Sequence, residues 1–344
     1  MILNQTPTKI FPYKTKWSAP SNIALVKYWG KKGHQLPANP SVSLTLKNCL
    51  TFTEVEFTPS DTLEVDLYLG DEKNEKFAEK IKKFILSLNC NWLNHLRYTV
   101  RTQNTFPHGT GIASSASGMS AFCLCLVDFY YELQQLERDA DFFKNASFYA
   151  RLASGSASRS LFGGVVVWGE NRELDTSDEW AKKIQTHSLF ETMLDSVLIV
   201  SSEEKAVSST AGHSKMSDHY FKEARYSQAR DHFEKMIVAL KVGDLETFGE
   251  VLESEALSLH AMMLTSPENY ILLKPETLSI IECVRDFRRQ TKIPVYFTLD
   301  AGPNVHLIYP ASYLEKVRTF IQTELSPSLE HVIHDEVGSG PQKC

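Results

Sequence analysis

Residues 106–118 read FPHGTGIASSASG: three glycines, a proline and four small hydroxylated residues between a strand-like run and a helix-like run. Backbone N–H groups at a helix N-terminus hold anionic phosphate well, because the macrodipole supplies roughly half a positive charge there. Gly109 and Gly111 permit the tight or left-handed backbone that aims successive N–H groups at one point. Ser114, Ser115 and Ser117 can cap the helix and offer hydroxyls to a phosphate or a metal ion. The stretch is not a G-x-x-x-x-G-K-[ST] loop, since no lysine follows, and it lacks the third glycine of a dinucleotide fingerprint. Alone, such a junction is more often an ordinary capped turn.

Two cations stand in settings that ask for partners. Lys27 lies in the strand-like run IALVKYW, where a buried lysine is costly unless paired, although periodicity alone also allows a surface lysine on an edge strand. Arg159 closes the serine-rich run SGSASRS, and its planar fork suits bidentate capture of a carboxylate or phosphate. A solvated linker is the bland alternative there, but the run leads straight into the apolar FGGVVVW.

The elements that must position these residues follow from periodicity. SLTL (43–46), LTFTEVEF (50–57), TLEVDLYL (62–69) and LRYTVRTQN (96–104) read as strands, with a helix over NEKFAEKIKKFILSL (74–88). Helices are expected from near Ser114 and over 139–152, then a small-residue loop and a buried strand, FGGVVVWG (162–169). The second half begins with SVLIV (196–200), followed by helical patterns near 213–241, 244–264 and 275–290. VYFTL (295–299), NVHLIY (304–309), a helix at 311–324 and a strand near 331–335 complete it. Without the helical insert the order is β-α-β-β-α-β, a split ferredoxin-like sheet with helices on one face. The polar, poorly periodic segment 170–195 suggests a boundary, giving domains 1–190 and 191–344.

Composition narrows the function. A formal charge of −6 without a basic stripe argues against nucleic acid. No signal-peptide core or membrane-length apolar run occurs. The six cysteines lack metal or disulfide-framework spacing, as expected of a reducing cytoplasm.

Four stretches together resemble the diphosphomevalonate decarboxylases: SAPSNIALVKYWGK (18–31), FPHGTGIASSASG, SGSASRSLFGG (154–164) and FTLDAGPN (297–304). LPANPSVSLTL (36–46), VSST (207–210) with Gly212, HAMMLTSPENYILL (260–273) and VGSGPQ (337–342) extend the resemblance through nearly the whole chain. It implies the α+β, two-domain fold of the GHMP kinases: a ribosomal-S5-domain-2-like ATP-binding domain, a ferredoxin-like C-terminal domain, and an active site between them. The implied reaction is ATP-dependent decarboxylation of mevalonate 5-diphosphate to isopentenyl diphosphate. Its implied company is ATP, Mg2+ and a homodimer, with no nucleic acid or membrane.

On that resemblance Asp300 faces the tertiary hydroxyl as base or orienting acceptor, though by itself it reads as the first residue of a β-turn. Lys27 would pair with it, and Arg159 completes the catalytic set. Asn22, Tyr28, Lys31, Ser154, Ser156, Ser208 and Ser209 would bind the substrate. Pro107, Gly109, Gly111, Ala113, Ser114, Ser115 and Ser117 would cradle ATP, with Ser115 toward its magnesium. Three departures stand out. No arginine occurs between Gly70 and Leu88, where the family carries one that helps hold the diphosphate, so either Lys73 or Lys76 substitutes or one contact is missing. Ala153 and Ser158 replace a glycine and a cysteine of the usual pattern, and the loop GKKGHQLP is short. The missing arginine keeps open a decarboxylase of the 5-monophosphate; a kinase that stops at phosphorylation and an RNA-binding relic fit less well. His34, His108 and His213 read as incidental.

Overall fold

The computed structural model describes residues 2–107, 112, 114–203 and 209–344, with the side chains of 209–211 excepted. The first half contains β1 (Tyr13–Val26), β2 (Ser41–Pro59) and β3 (Glu64–Leu69). Then follow α1 (Glu75–Ser87), β4 (Leu96–Asn104), α2 (Ser114–Gln134), α3 (Ala140–Ala153) and β5 (Val165–Trp168). The second half opens with β6 (Met193–Ile199) and three long helices, α4 (Lys222–Val242), α5 (Leu245–Leu264) and α6 (Pro275–Thr291). It closes with β7 (Tyr296–Thr298), β8 (Val305–Pro310), α7 (Leu314–Phe320), β9 (His331–Glu336) and β10 (Gln342–Lys343).

The larger sheet runs β10-β1-β2-β4-β3, with β5 pairing the first part of β2. Chain continuity explains β2: the two strands expected at 43–46 and 50–57 are one. At the break between them the N–H groups of Lys47, Asn48 and Cys49 each donate to the Asp335 carboxylate at 2.8 Å. Helices α1, α2 and α3 cover one face, burying Phe57, Tyr98, Phe122, Phe129 and Phe142 against Trp17. Asn74 caps α1 by accepting the Phe77 N–H at 3.0 Å, and α1 carries the chain across to the parallel pair β3–β4.

The second sheet has the order β7-β8-β6-β9, antiparallel throughout, so the first and third of its strands in the chain lie together at the centre. That is the ferredoxin-like order. Helices α6 and α7 pack on one face through Ile280, Val284, Val317 and Phe320. The other face is covered too, which one-sided cover did not anticipate. Val197 and Ile199 share a core with Phe233, Met236 and Phe248 of α4 and α5 and with Val42 and Leu44 of β2. The apolar character of both faces of β6 requires this burial on two sides.

The helical pattern read over 213–241 divides into a short helix, Ser209–Ser214, and α4 from Lys222. Helix α4 stops at Gly243 in the left-handed region (φ +83°), and Asp244 at once caps α5. The last strand returns to the first sheet: Trp17 pairs with Lys343 and Ser18 with Gln342.

Candidate active site

Strand β1 shifts register against β2 between Pro20 and Asn22 and again between Ala24 and Val26. It ends at Val26, so Lys27 is the first residue beyond the strand and not part of it, as IALVKYW had suggested. Lys27 is 1% exposed, and its ammonium donates to the Ala24 carbonyl at 2.8 Å and to Asp300 Oδ1 at 2.9 Å. Burial lowers the Lys27 pKa, while Asp300 beside it favours the charged form. Asp300 lies in the turn between β7 and β8, the second sheet's contribution to the site.

Arg159 stands in a 3-10 helix, Gly155–Leu161, that continues α3; the run SGSASRS is therefore ordered helix where a small-residue loop was expected. The fold holds it from outside. Ser120 Oγ donates to the Ala157 carbonyl at 2.8 Å and Ser147 Oγ to that of Ser158 at 2.9 Å. The guanidinium is buried, donating from Nε to Asn22 Oδ1 at 3.2 Å and from one terminal nitrogen to Ser41 Oγ at 2.8 Å. Asn22 Nδ2 in turn donates to Ser160 Oγ at 2.8 Å, which fixes the amide's orientation. Burial brings the Arg159 pKa down to about 10, against the opposing pull of Asp300 and Tyr28. Among the described residues no carboxylate forms an ion pair with this guanidinium, so it is equipped to receive an anion.

Tyr28 packs edge-on to Trp168 with centroids 4.7 Å apart, and its buried hydroxyl has no hydrogen-bond partner among the described residues. Gly155 makes room for it: a Cβ there would stand 2.6 Å from Tyr28 Oη. Lys31 is half-buried in the hairpin Lys31–Lys32/Leu36–Pro37, and burial lowers its pKa. Ser154 and Ser156 are half-buried at the start of the same 3-10 helix as Arg159. Of the implied site residues, Lys27 meets Asp300, and Arg159 meets Asn22.

The glycine-rich segment divides. Gly109, Gly111 and Ala113 lie outside the described residues, as do Ser208 and the side chain of Ser209. Pro107 is exposed, and α2 begins at Ser114. Ser115 is exposed on its first turn, and Lys80 Nζ donates to its hydroxyl at 3.0 Å. Ser117 faces the other way. It is fully buried, with its hydroxyl 2.6 Å from that of Thr51, so it joins α2 to β2 and has no access to a phosphate. Of the lysines near the position of the expected arginine, Lys73 pairs with Asp66 at 2.8 Å, Lys76 is exposed, and Lys80, one helical turn on from Lys76, contacts Ser115.

Sequence reading missed several residues. Ser41 and Ser160 lie inside quoted motifs but carry no chemical signature of their own. His213 is not incidental: its Nδ1 accepts the Gly30 N–H at 3.0 Å, and its ring packs against Tyr28 and Trp29 at 4.3 and 4.6 Å. Burial pulls its pKa down to about 3, with Lys31 and Arg159 adding to the effect, so the ring is neutral. The glycine before it was the available signal.

Two family models match the chain: the diphosphomevalonate decarboxylase-like N-terminal domain over residues 19–180, and the mevalonate 5-diphosphate decarboxylase C-terminal domain over residues 196–334. The diphosphomevalonate decarboxylase of Saccharomyces cerevisiae is 32% identical over 90% of the chain and 81% of its own length. That of Debaryomyces hansenii is 29% identical over 96% and 95%. Among solved structures, mevalonate diphosphate decarboxylase from Staphylococcus aureus superposes with a TM-score of 0.85 at 28% identity, covering 97% of this chain and 98% of its own. A structure described as MDDEF in complex with MVAPP, AMPPCP and magnesium gives 0.81 at 30% identity, covering 97% and 99%.

Proposed function

We infer the function from one premise: the chain belongs to the diphosphomevalonate decarboxylase family. It is an ATP-dependent decarboxylase that converts mevalonate 5-diphosphate to isopentenyl diphosphate, ADP, phosphate and carbon dioxide. The observation that carries the residue assignment is the Lys27–Asp300 contact in buried surroundings beside Arg159.

The substrate's tertiary hydroxyl is a poor leaving group. Transfer of the ATP γ-phosphoryl to it makes a good one, with ADP departing. As that phosphate leaves, positive character builds on the carbon, and electrons of the C–CO₂ bond form the alkene while carbon dioxide is released. Asp300 accepts or orients the hydroxyl proton, kept ionised by Lys27. Arg159 holds the carboxylate until it departs, and Asn22 steadies that guanidinium. Tyr28 and Lys31, with Ser154, Ser156, Ser208 and Ser209, bind the rest of the substrate. Ser114 and Ser115, with Pro107, Gly109, Gly111 and Ala113, receive the nucleotide, and Lys80 enters this group as a phosphate contact. Magnesium, carried by the ATP phosphates with Ser115 as the chain's hydroxyl donor, would neutralise charge on the transferring group. The described residues contain no His/Cys/Asp/Glu cluster that could hold a metal without the nucleotide, and an oxygen-only donor set of hydroxyl and phosphates suits this hard cation.

The division into domains 1–190 and 191–344 is proposed with one amendment: β10, at the end of the second, completes the sheet of the first. Cytoplasmic residence is proposed from six free thiols, four of them buried. No helix among the described residues is long and apolar enough to cross a membrane. A homodimer accompanies the family reading, and light scattering at micromolar protein tests it. The decisive assay supplies ATP, magnesium and either the 5-diphosphate or the 5-phosphate of mevalonate, and measures ADP and carbon dioxide together. Matched release from the diphosphate is expected. ADP without carbon dioxide would overturn decarboxylation, and preference for the monophosphate would overturn the substrate.

A further inference from the structure

We propose that helix α5 is the positioning spine of the Lys27–Asp300 pair: Glu255 fixes the lysine, His260 fixes the aspartate, and one helix thereby sets how the two meet. This rests on reading that pair as catalytic. Lys27 lies just beyond β1 and Asp300 just beyond β7, so neither backbone is held by a sheet ladder. Buried backbone groups outside a ladder are paired in other ways, side chains among them. Glu255 Oε2 accepts the Lys27 N–H at 2.8 Å, and Asn39 Nδ2 donates to the Lys27 carbonyl at 3.1 Å. His260 Nε2 lies 3.1 Å from the Asp300 carbonyl; a carbonyl only accepts, so the ring N–H donates. Glu255 and His260 are both buried, five residues apart on α5 and so about 7.5 Å apart along its axis.

Glu255 is itself braced. Arg225 of α4 donates to both of its oxygens, at 2.8 and 2.6 Å, and His232 Nδ1 of α4 lies 2.6 Å from Oε1. A fully buried carboxylate with two donors on a neighbouring helix is an expensive way to fill space, and an apolar residue would do so at least as well. What the carboxylate adds is a rigid acceptor, and a negative charge, at the lysine's backbone. The charged groups facing Lys27 are then Asp300 from the turn after β7, Glu255 from α5 and Arg159 from the 3-10 helix. Those facing Glu255 are Arg225 and His232 from α4.

The test compares His260→Ala, His260→Gln, the paired change Glu255→Met with Arg225→Met, and Asp300→Asn, all in the full chain with ATP, magnesium and mevalonate 5-diphosphate. His260→Ala is expected to lower kcat about tenfold or more, because small misplacement of reacting groups is costly. KM for both substrates should stay within about threefold, since neither is bound by this residue. His260→Gln, whose amide can donate to the same carbonyl, should recover most of the loss. The paired variant removes one charge of each sign, but Glu255 is the one that faces Lys27, so the charged lysine is weakened and the basic limb of kcat moves to lower pH. The less firmly held lysine supports ionised Asp300 less, so the acidic limb moves to higher pH. Circular dichroism and urea midpoints identify which variants are folded; should the paired variant not fold, the two His260 variants decide alone. Folded variants that keep kcat within about twofold, with both limbs in place, overturn the inference while leaving the catalytic pair intact. Wild-type turnover by Asp300→Asn would instead overturn the reading of the pair itself.

Discussion

Lys27 keeps its ammonium out of water with two oxygens in reach, the Ala24 carbonyl and the Asp300 carboxylate. Burial lowers its pKa from 10.5, so the charged form needed beside Asp300 is complete at lower pH and lost as pH rises through that depressed value. The basic limb of kcat should therefore fall below the ordinary lysine range. In a folded Lys27→Arg variant, whose guanidinium does not titrate in this range, the limb should move to higher pH. An unmoved limb would assign it to another group. Asp300→Asn keeps the shape of the site but removes the acceptor, and turnover should fall roughly a hundredfold or more, the scale of a lost general base. Isothermal titration should show nucleotide and substrate binding nearly intact, and near-wild-type turnover would return Asp300 to the status of a turn residue. Arg159→Lys retains charge but cannot bond Asn22 and Ser41 simultaneously through a fixed fork while offering its remaining N–H groups to a carboxylate. A loss of kcat/KM of about tenfold or more is expected, and equal kinetics would show that the fork does not hold the substrate.

Helices α1, α2, α5 and α6 were legible to within a few residues because each repeats apolar side chains every three or four positions along a buried face. Strand β1 was legible only in part. From Trp17 to Val26 it is buried on both faces, which erases the alternation that marks a half-exposed strand. The residues proposed as catalytic were picked out through motif resemblance, whereas Glu255 and His260 were not, since what they contact is set by which helix packs behind Lys27. The 3-10 helix at 155–161 was hidden for a related reason: serine and glycine favour loops locally, and its order comes from Ser120 and Ser147 on neighbouring helices. Gly155 shows what that order is for. A methyl group there would lie 2.6 Å from Tyr28 Oη and 2.9 Å from the Trp168 ring, so Gly155→Ala must displace the tyrosine or the helix. KM for mevalonate 5-diphosphate should rise about tenfold while KM for ATP changes little, because Tyr28 is proposed to bind the substrate and not the nucleotide. Equal rises in both constants would mean that the damage spreads beyond Tyr28.

At the scale of the molecule the chain closes on itself, and the closure depends on glycines in apposition. After β9 the Gly338 N–H donates to the Thr45 carbonyl at 2.8 Å, and the Gly164 N–H to the Gly338 carbonyl at 2.9 Å. A Cβ on Gly163 would stand 2.2 Å from the Ser339 carbonyl carbon, and one on Gly338 would stand 2.5 Å from the Leu46 oxygen, so backbone meets backbone with no room for a side chain. Beyond this crossing Lys343 reaches the fully buried carboxylate of Asp128 at 2.9 Å, beside Thr15 and Arg138. The segment that follows the second sheet thus completes the edge of the first and places a cation on its buried charge. Gly163→Ala should cost about 2 kcal/mol or more, since backbone rather than a flexible side chain must give way. Removing residues 337–344 should cost more, by stripping β1 of its edge partner and Asp128 of one cation. Urea denaturation followed by tryptophan fluorescence and far-ultraviolet circular dichroism reads both effects. The full chain should unfold in one coincident transition, as expected when the last strand binds the two halves into one cooperative unit, and the truncated chain in two that separate. A truncated chain that unfolds in a single transition at the wild-type midpoint would show that the crossing strand is decoration, and that the shared core of β2, β6, α4 and α5 alone couples the halves.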